Sequence, residues 1–291
     1  MSDVVIEKSK DRLEIIKEIE KLEREGKFDI DPEKDPPNIK LEVENVDYLN
    51  KKLSSKINNK IAKFVGRKFM KKLLEDKKLI IKEINGIENL DNIKGGAVLT
   101  CNHFNPFDSF AMEYLYEASK KSKTSELYRV IKEGNYTNFP GLYGFLFKNC
   151  NTLPLSSSVN TMQAFIDAVS SVLKNGNLVL IYPEQSLWWN YKKPKPLKTG
   201  GFKIAVKCNV PVVPVFITMT ESDIIGDDGF NILEYHINVG KPIYQDESLT
   251  VKQNIENMKN KNYEVWKNVY EDFYKTPLEY TTLKKDEELW K

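Results

Sequence analysis

Histidine and cysteine are scarce in this 291-residue chain, which holds two histidines, His103 and His236, and three cysteines, Cys101, Cys150 and Cys208. Two histidines argue against a His-rich metal enzyme, and three widely spaced cysteines exclude a disulfide scaffold and a Cys-x-x-Cys zinc site. No metal site is therefore expected, and each cysteine is expected to pack as a small hydrophobe. Long apolar runs are missing as well. No stretch approaches the roughly 18–20 residues of a spanning helix, and the runs at Leu178–Tyr182 and Val210–Thr218 have the length of strands. The N-terminal stretch MSDVVIEKSKDRLEIIKEIEK is highly charged and has no apolar core, so secretion is not expected and a cytoplasmic location is. The glycines follow neither a GxGxxG nor a P-loop spacing, which leaves nucleotide phosphate binding without support. Ser186 lies outside any Gly-x-Ser-x-Gly elbow, which argues against a serine hydrolase of the α/β type.

What is present is a foldable composition, 41% hydrophobic and 30% charged, with a formal net charge of only +2. That small total conceals a split. Residues 49–75 hold nine basic residues and one acidic, a local net of +8, while the remaining 264 residues carry 35 basic and 41 acidic, a net of −6. Residues 5–25 and the basic stretch both have helical periodicity. In the latter, Leu53, Ile57, Ile61, Phe64 and Val65 fall within about 120° of arc. Beyond Gly66 the apolar positions Phe69, Leu73 and Leu74 drift off that face, which predicts a kink or a second helix. Pro32, Pro36 and Pro37 predict a loop between the two helical stretches.

From residue 77 the texture changes. Strands are expected at Leu79–Ile84, Ala97–Cys101, Tyr128–Ile131, Thr152–Leu155, Leu178–Tyr182, Val212–Thr218 and Tyr235–Val239. Helices are expected at Phe107–Ser119, Thr161–Lys174 and Gly200–Lys207, with a final amphipathic helix over residues 250–274. The alternation predicts an α/β fold with a mixed sheet flanked by helices. The expected organisation is a helical N-terminal region, residues 1–76, and an α/β domain with its C-terminal helix, residues 77–291.

The chemistry concentrates where the strand Ala97–Cys101 delivers Asn102-His103-Phe104-Asn105-Pro106-Phe107-Asp108 ahead of a helix. This is the end of an α/β sheet at which active-site groups usually lie. His103 and Asp108, five positions apart, can fold back on each other. A carboxylate on one imidazole nitrogen fixes the tautomer and raises basicity, so the other nitrogen can take a proton from a hydroxyl. On spacing alone, a helix N-cap Asp beside a loop His is the other reading. His236, inside an alternating strand with no acidic neighbour at triad-like spacing, is expected to be structural.

The Asn-His-x4-Asp block resembles the first motif of the glycerolipid acyltransferases, the 1-acyl-glycerol-3-phosphate (lysophosphatidic acid) acyltransferase family. Lys132-Glu133 with Pro140-Gly141 and Gly144 looks like the second block. Tyr182-Pro183-Glu184-Gln185-Ser186 stands where the family has Phe-Pro-Glu-Gly-Thr-Arg. Leu197-Lys198-Thr199-Gly200-Gly201-Phe202 and Val210-Pro211-Val212-Val213-Pro214-Val215 are similar to the two blocks that follow, so the resemblance spans residues 78–245. It implies transfer of an acyl group from a thioester, acyl-CoA or acyl carrier protein, to a lipid hydroxyl. His103 would be the base, Asp108 would orient it, and neither a metal nor another cofactor would be needed. By the same resemblance Asn102, Lys132, Glu184, Gln185 and Lys198 are expected on the acceptor side.

Two family arginines have no counterpart. The third block runs into Leu187, and the strand Thr152–Leu155 is followed by Ser156-Ser157-Ser158. Arginine is the usual bidentate partner of phosphate, so an acceptor without phosphate is a second possibility, and a catalytically idle lipid-binding protein a third. Lys193 and its neighbours are expected to replace the arginines as point charges, with Trp188, Trp189 and Tyr191 meeting lipid or packing within a loop. The basic helix has three readings: an interfacial helix that sinks Leu53, Ile57, Ile61 and Phe64 into an anionic membrane surface, a helix packed on the core, or a nucleic-acid contact. The family resemblance supports the first, on the cytoplasmic membrane face, and no base-reading motif accompanies the last.

Overall fold

The computed structural model describes residues 7–33 and 39–282; Pro36 and Pro37 lie outside them. Two helices come first, α1 (Lys10–Arg24) and α2 (Leu53–Glu75). The α/β part then runs β1 (Ile80–Asn85), α3 (Glu88–Asp91), β2 (Ala97–Thr100), α4 (Asp108–Ala118), β3 (Leu127–Ile131), α5 (Glu133–Thr137), α6 (Gly141–Asn149), β4 (Thr152–Pro154), α7 (Val159–Lys174), β5 (Leu178–Ile181), α8 (Gly200–Cys208), β6 (Val212–Ile225), β7 (Asn231–Val239) and α9 (Val251–Tyr274). All seven expected strands are present. They form one sheet in the order β1-β7-β6-β2-β5-β3-β4, parallel except for the β6–β7 hairpin.

The fold follows from what β2 and β5 can bury. Every residue of both strands is buried, as expected of strands covered on two faces. Successive side chains point to opposite faces. Leu99, Leu178 and Leu180 join a core shared with Ala111, Met112 and Leu115 of α4. Val98, Val179 and Ile181 join one shared with Phe165 and Val169 of α7 and with Phe202 and Ala205 of α8. The sheet is thus a middle layer with helices on both sides, and α9 closes one flank by packing Trp266 on Phe216. A capping box between Thr250 and Gln253 sets where α9 starts.

Two expectations are corrected. The basic segment is one continuous helix, with no break at Gly66. Its apolar face changes because the helix has two partners. Asn59 donates to the Asn149 carbonyl at 2.6 Å, and Gly66 lies against Leu146 and Cys150 at the end of α6. Farther on, Phe69 meets Phe110 of α4, and Leu73 and Leu74 join the α4-side core. The hairpin is also longer than its apolar run. Beyond Thr218 and before Tyr235 the strands continue through a mixed stretch, buried Met219 and Leu233 among polar residues, held by cross-strand pairing.

Candidate active site

Four segments meet at the carboxyl end of the parallel strands. β2 delivers His103, α4 begins with Asp108, and β5 runs out into Tyr182 and Glu184. The loop 185–199 then folds back over all of them. The backbone of His103 is fixed from both sides: its N–H donates to Glu184 Oε2 at 2.9 Å, and its carbonyl accepts from the Trp188 N–H at 3.2 Å and from Lys195 Nζ at 3.3 Å. Asn102 helps one residue earlier. Its buried amide donates to the Ile217 carbonyl at 3.0 Å and accepts from the Ile217 N–H at 2.8 Å, tying the end of β2 to β6. Both ends of the Asn102 amide, expected on the acceptor side, are thus engaged inside the sheet.

His103 and Asp108 are joined. Imidazole Nδ1 lies 2.7 Å from Asp108 Oδ2. That oxygen also accepts the N–H groups of Phe104 and Asn105 at 3.1 and 3.3 Å, while Oδ1 accepts the Tyr182 hydroxyl at 2.8 Å. Asp108 is wholly buried and held by these donors, whereas the His103 side chain keeps 25% of its exposure. With Nδ1 donating to the carboxylate, Nε2 is the ring's acceptor, and among the described residues nothing hydrogen-bonds it. Tyr182 stacks on the imidazole at 4.1 Å between centroids. Burial, and then the Asp108 carboxylate, push the Tyr182 phenol well above its ordinary pKa, which makes it a fixed O–H donor. The site can therefore hold an imidazole in a defined orientation with one ring nitrogen on a carboxylate, the arrangement a general base needs.

Glu184, expected on the acceptor side, has its carboxylate engaged within the protein. It is buried, with Oε1 accepting the Lys195 N–H at 2.8 Å and Oε2 lying 3.3 Å from Lys195 Nζ. It braces the His103 backbone instead of reaching outward. Its partner, Lys195, is equally buried. Burial pulls the Lys195 ammonium below its ordinary pKa, against the opposing pull of Glu184. Gln185 is exposed, and its backbone is left-handed, φ 63°, where the family's block has glycine. The left-handed form costs a residue with a Cβ about 1–2 kcal/mol, and glycine gives back about 0.5–1 through unfolded-state entropy. Gln185→Gly should therefore stabilise the protein by about 0.5–1 kcal/mol in a denaturant titration.

The remaining expected acceptor cations are all paired with acids of the N-terminal region. Lys193 meets Glu23 at 2.7 Å, Lys198 meets Asp29 at 2.9 Å, and Lys132 pairs with Asp31. Trp188 and Trp189 are buried rather than available to lipid. They pack under Ile19 and Leu22 of α1, with Phe28 stacked on Trp188 at 5.5 Å. Tyr191 donates to Glu23 at 2.9 Å. His236 has an acidic neighbour after all, Glu83 at 2.9 Å across the β1–β7 pair, and Thr220 at 3.1 Å, a local network at the far edge of the sheet. The three cysteines are free, and Cys101 is buried as expected. Tyr182 and Asp31 are the residues that sequence reasoning left without roles, and Lys195, expected among the point charges that replace the arginines, is instead held by Glu184. A lysine between two prolines, Pro194 and Pro196, was the one local sign that Lys195 sits in a fixed, extended stretch.

Residues 82–218 match the family described as Acyltransferase, and all five motif blocks lie within that span. Over that span the chain is similar to this family. Among solved structures it is similar to the 1-acyl-sn-glycerophosphate (LPA) acyltransferase PlsC from Thermotoga maritima, at 21% identity and a TM-score of 0.44, with 72% of this chain and 79% of that chain covered. No curated protein matches the sequence. Among the described residues no helix is long and apolar enough to cross a membrane.

Proposed function

We propose that this protein is an O-acyltransferase that moves a fatty acyl group from a thioester, acyl-CoA or acyl carrier protein, to the hydroxyl of a lipid at a membrane surface. The observation that carries the reading is the His103–Asp108 pair, with Nδ1 bonded to a buried carboxylate and Nε2 left as the acceptor. His103 Nε2 takes the proton of the acceptor hydroxyl as its oxygen attacks the thioester carbonyl. The new C–O bond forms, the C–S bond breaks, and the proton passes from the imidazolium to the departing sulfur. No protein nucleophile takes part. Asp108 holds the ring and stabilises its transient positive charge, and Tyr182 fixes Asp108. Incubation with a radiolabelled acyl thioester and a panel of lysolipids, 1-acyl-glycerol-3-phosphate among them, should give labelled ester lipid. A protein that binds lipid but releases no thiol from the donor would instead be an idle binder. An acceptor without phosphate is favoured by one observation, that Lys132, Lys193 and Lys198 are already paired with acids.

The membrane contact is read from α2. Over its first half the inward face is small or polar, Asn59, Ala62 and Gly66, and the apolar stripe of that half points outward. Leu53, Ile57, Ile61 and Phe64 are 74%, 50%, 48% and 62% exposed, and Phe139, Leu142 and Tyr143 beside α6 are exposed as well. Lys63 and Arg67 bind Glu126 and Glu117 of the α/β part, whereas Lys56, Lys60 and Lys68 have no ion pair among the described residues. An outward apolar stripe with free lysines beside it suits an anionic lipid surface, where each basic residue contributes about 1 kcal/mol. Ile57→Asp with Phe64→Asp should lower partitioning onto phosphatidylserine vesicles at least about tenfold, since burying each such side chain contributes roughly 1.5–3 kcal/mol. Circular dichroism should show an unchanged fold, because both side chains are exposed. Undiminished vesicle binding would place the membrane contact elsewhere.

A further inference from the structure

The acyl-transfer reading leaves the acceptor's headgroup open, and the N-terminal segment bears on it. Residues 28–31 run along the loop that follows Glu184. Ser186 Oγ donates to the Phe28 carbonyl at 2.7 Å, Trp188 Nε1 donates to the Ile30 carbonyl at 2.8 Å, and the Leu187 N–H donates to Asp31 Oδ1 at 2.6 Å. The other carboxylate oxygen of Asp31 takes the ammonium of Lys132, the residue between β3 and α5. β3 and β5 are neighbours in the sheet and parallel to β2, so Lys132, Leu187 and His103 emerge at the same end. Leu187 is also one residue from Trp188, whose N–H holds the His103 carbonyl. A backbone N–H and a lysine ammonium converging at the same end of the sheet as the candidate base form a place for an anion, and Asp31 fills it. It is only partly exposed, 21% against 44% for Lys132.

We propose that Asp31 is an acceptor-specificity residue: its carboxylate occupies the anion-binding place made by Lys132 and the Leu187 N–H, and so reserves the site for lipid hydroxyls without a phosphate headgroup. The proposal rests on the acyl-transfer reading above. The neighbouring charges point the same way, since Lys193 and Lys198 are closed by Glu23 and Asp29 and Lys195 by Glu184. A phosphomonoester entering here meets a resident carboxylate and no uncompensated cation among these four lysines. An uncharged headgroup displaces nothing. Specificity of this kind comes from a repulsive element set against the competing ligand.

The test uses the full chain, with 1-acyl-glycerol-3-phosphate and monoacylglycerol each presented in phosphatidylcholine vesicles, and with both acyl-CoA and acyl carrier protein thioesters as donors. The readout is the ratio of kcat/KM for the two acceptors. Wild type should favour monoacylglycerol at least about tenfold, the size expected when like charges are juxtaposed. Asp31→Asn keeps an acceptor for the Leu187 N–H but removes the charge, and it should shift the ratio about tenfold toward the phosphate-bearing acceptor. Adding Lys132→Gln should cancel that shift. A wild-type preference for the phosphate acceptor, or an Asp31→Asn ratio equal to wild type, overturns the proposal. In the second case Asp31 is only a latch for the segment, and any change in turnover is common to both acceptors. Turnover that survives His103→Ala, or no turnover of either acceptor with either donor, instead brings down the acyl-transfer reading, and this proposal with it.

Discussion

Acyl transfer by His103→Ala should fall about 10²–10⁴-fold relative to wild type, the span that a positioned general base supplies. The structure limits what else the substitution can do. The imidazole is partly exposed, and its side chain meets the Asp108 carboxylate and the stacked Tyr182 ring. The backbone of residue 103 keeps its bonds to Glu184, Trp188 and Lys195, because none of them involves the side chain. Asp108 also keeps Tyr182 and two backbone donors, so no bare carboxylate is left in the core. Loss of turnover with an unchanged unfolding transition therefore reports chemistry, and an idle lipid binder would lose nothing measurable.

The second large effect is on stability. Glu184 and Lys195 are both buried, and between them they tie His103, Ser186 and the loop 185–199 together. Lys195→Met removes the only cation that an ion pair gives Glu184 among the described residues, leaving a carboxylate in a dry site. Breaking a buried pair from one side typically costs about 3–5 kcal/mol, whereas replacing both partners by neutral groups costs far less. Denaturant titration should show that loss for Lys195→Met and a partial recovery for Lys195→Met with Glu184→Gln. The double variant retains a side-chain oxygen for the His103 N–H, so its activity should also exceed that of the single variant. A Lys195→Met protein as stable as wild type would mean that the Glu184 carboxylate has another source of compensation.

How far the sequence discloses this structure depends on the range of the interaction concerned. All seven strands are legible because alternating or continuous apolar runs are local patterns, and the His103–Asp108 pair is legible because five residues span a single turn. The extension of the β6–β7 hairpin is not, since its few apolar residues are interspersed with polar ones that cross-strand pairing holds. Trp188 and Trp189 look lipid-facing in the sequence because the helix that covers them lies far away in the chain, and periodicity in α1 reveals an apolar face without naming its partner. The same holds for the cations. A lysine beside a motif invites an anion, and only the folded chain shows that Glu23, Asp29 and Asp31 supply one from within. Asn102 and Glu184 were placed on the acceptor side by their positions in motifs, yet their side chains turn inward to brace the segment that presents His103.

The most direct test of the central claim follows the acyl group itself. Wild-type protein and His103→Ala are mixed with a radiolabelled acyl thioester, first alone and then with a lipid hydroxyl acceptor, and the label is traced to donor, protein and lipid. Direct transfer assisted by His103 predicts no label on the protein without acceptor, labelled ester lipid once acceptor is added, and a rate lower by about 10²–10⁴-fold in His103→Ala. Acyl-protein that forms without acceptor and chases into lipid, or a His103→Ala rate equal to wild type, would contradict it.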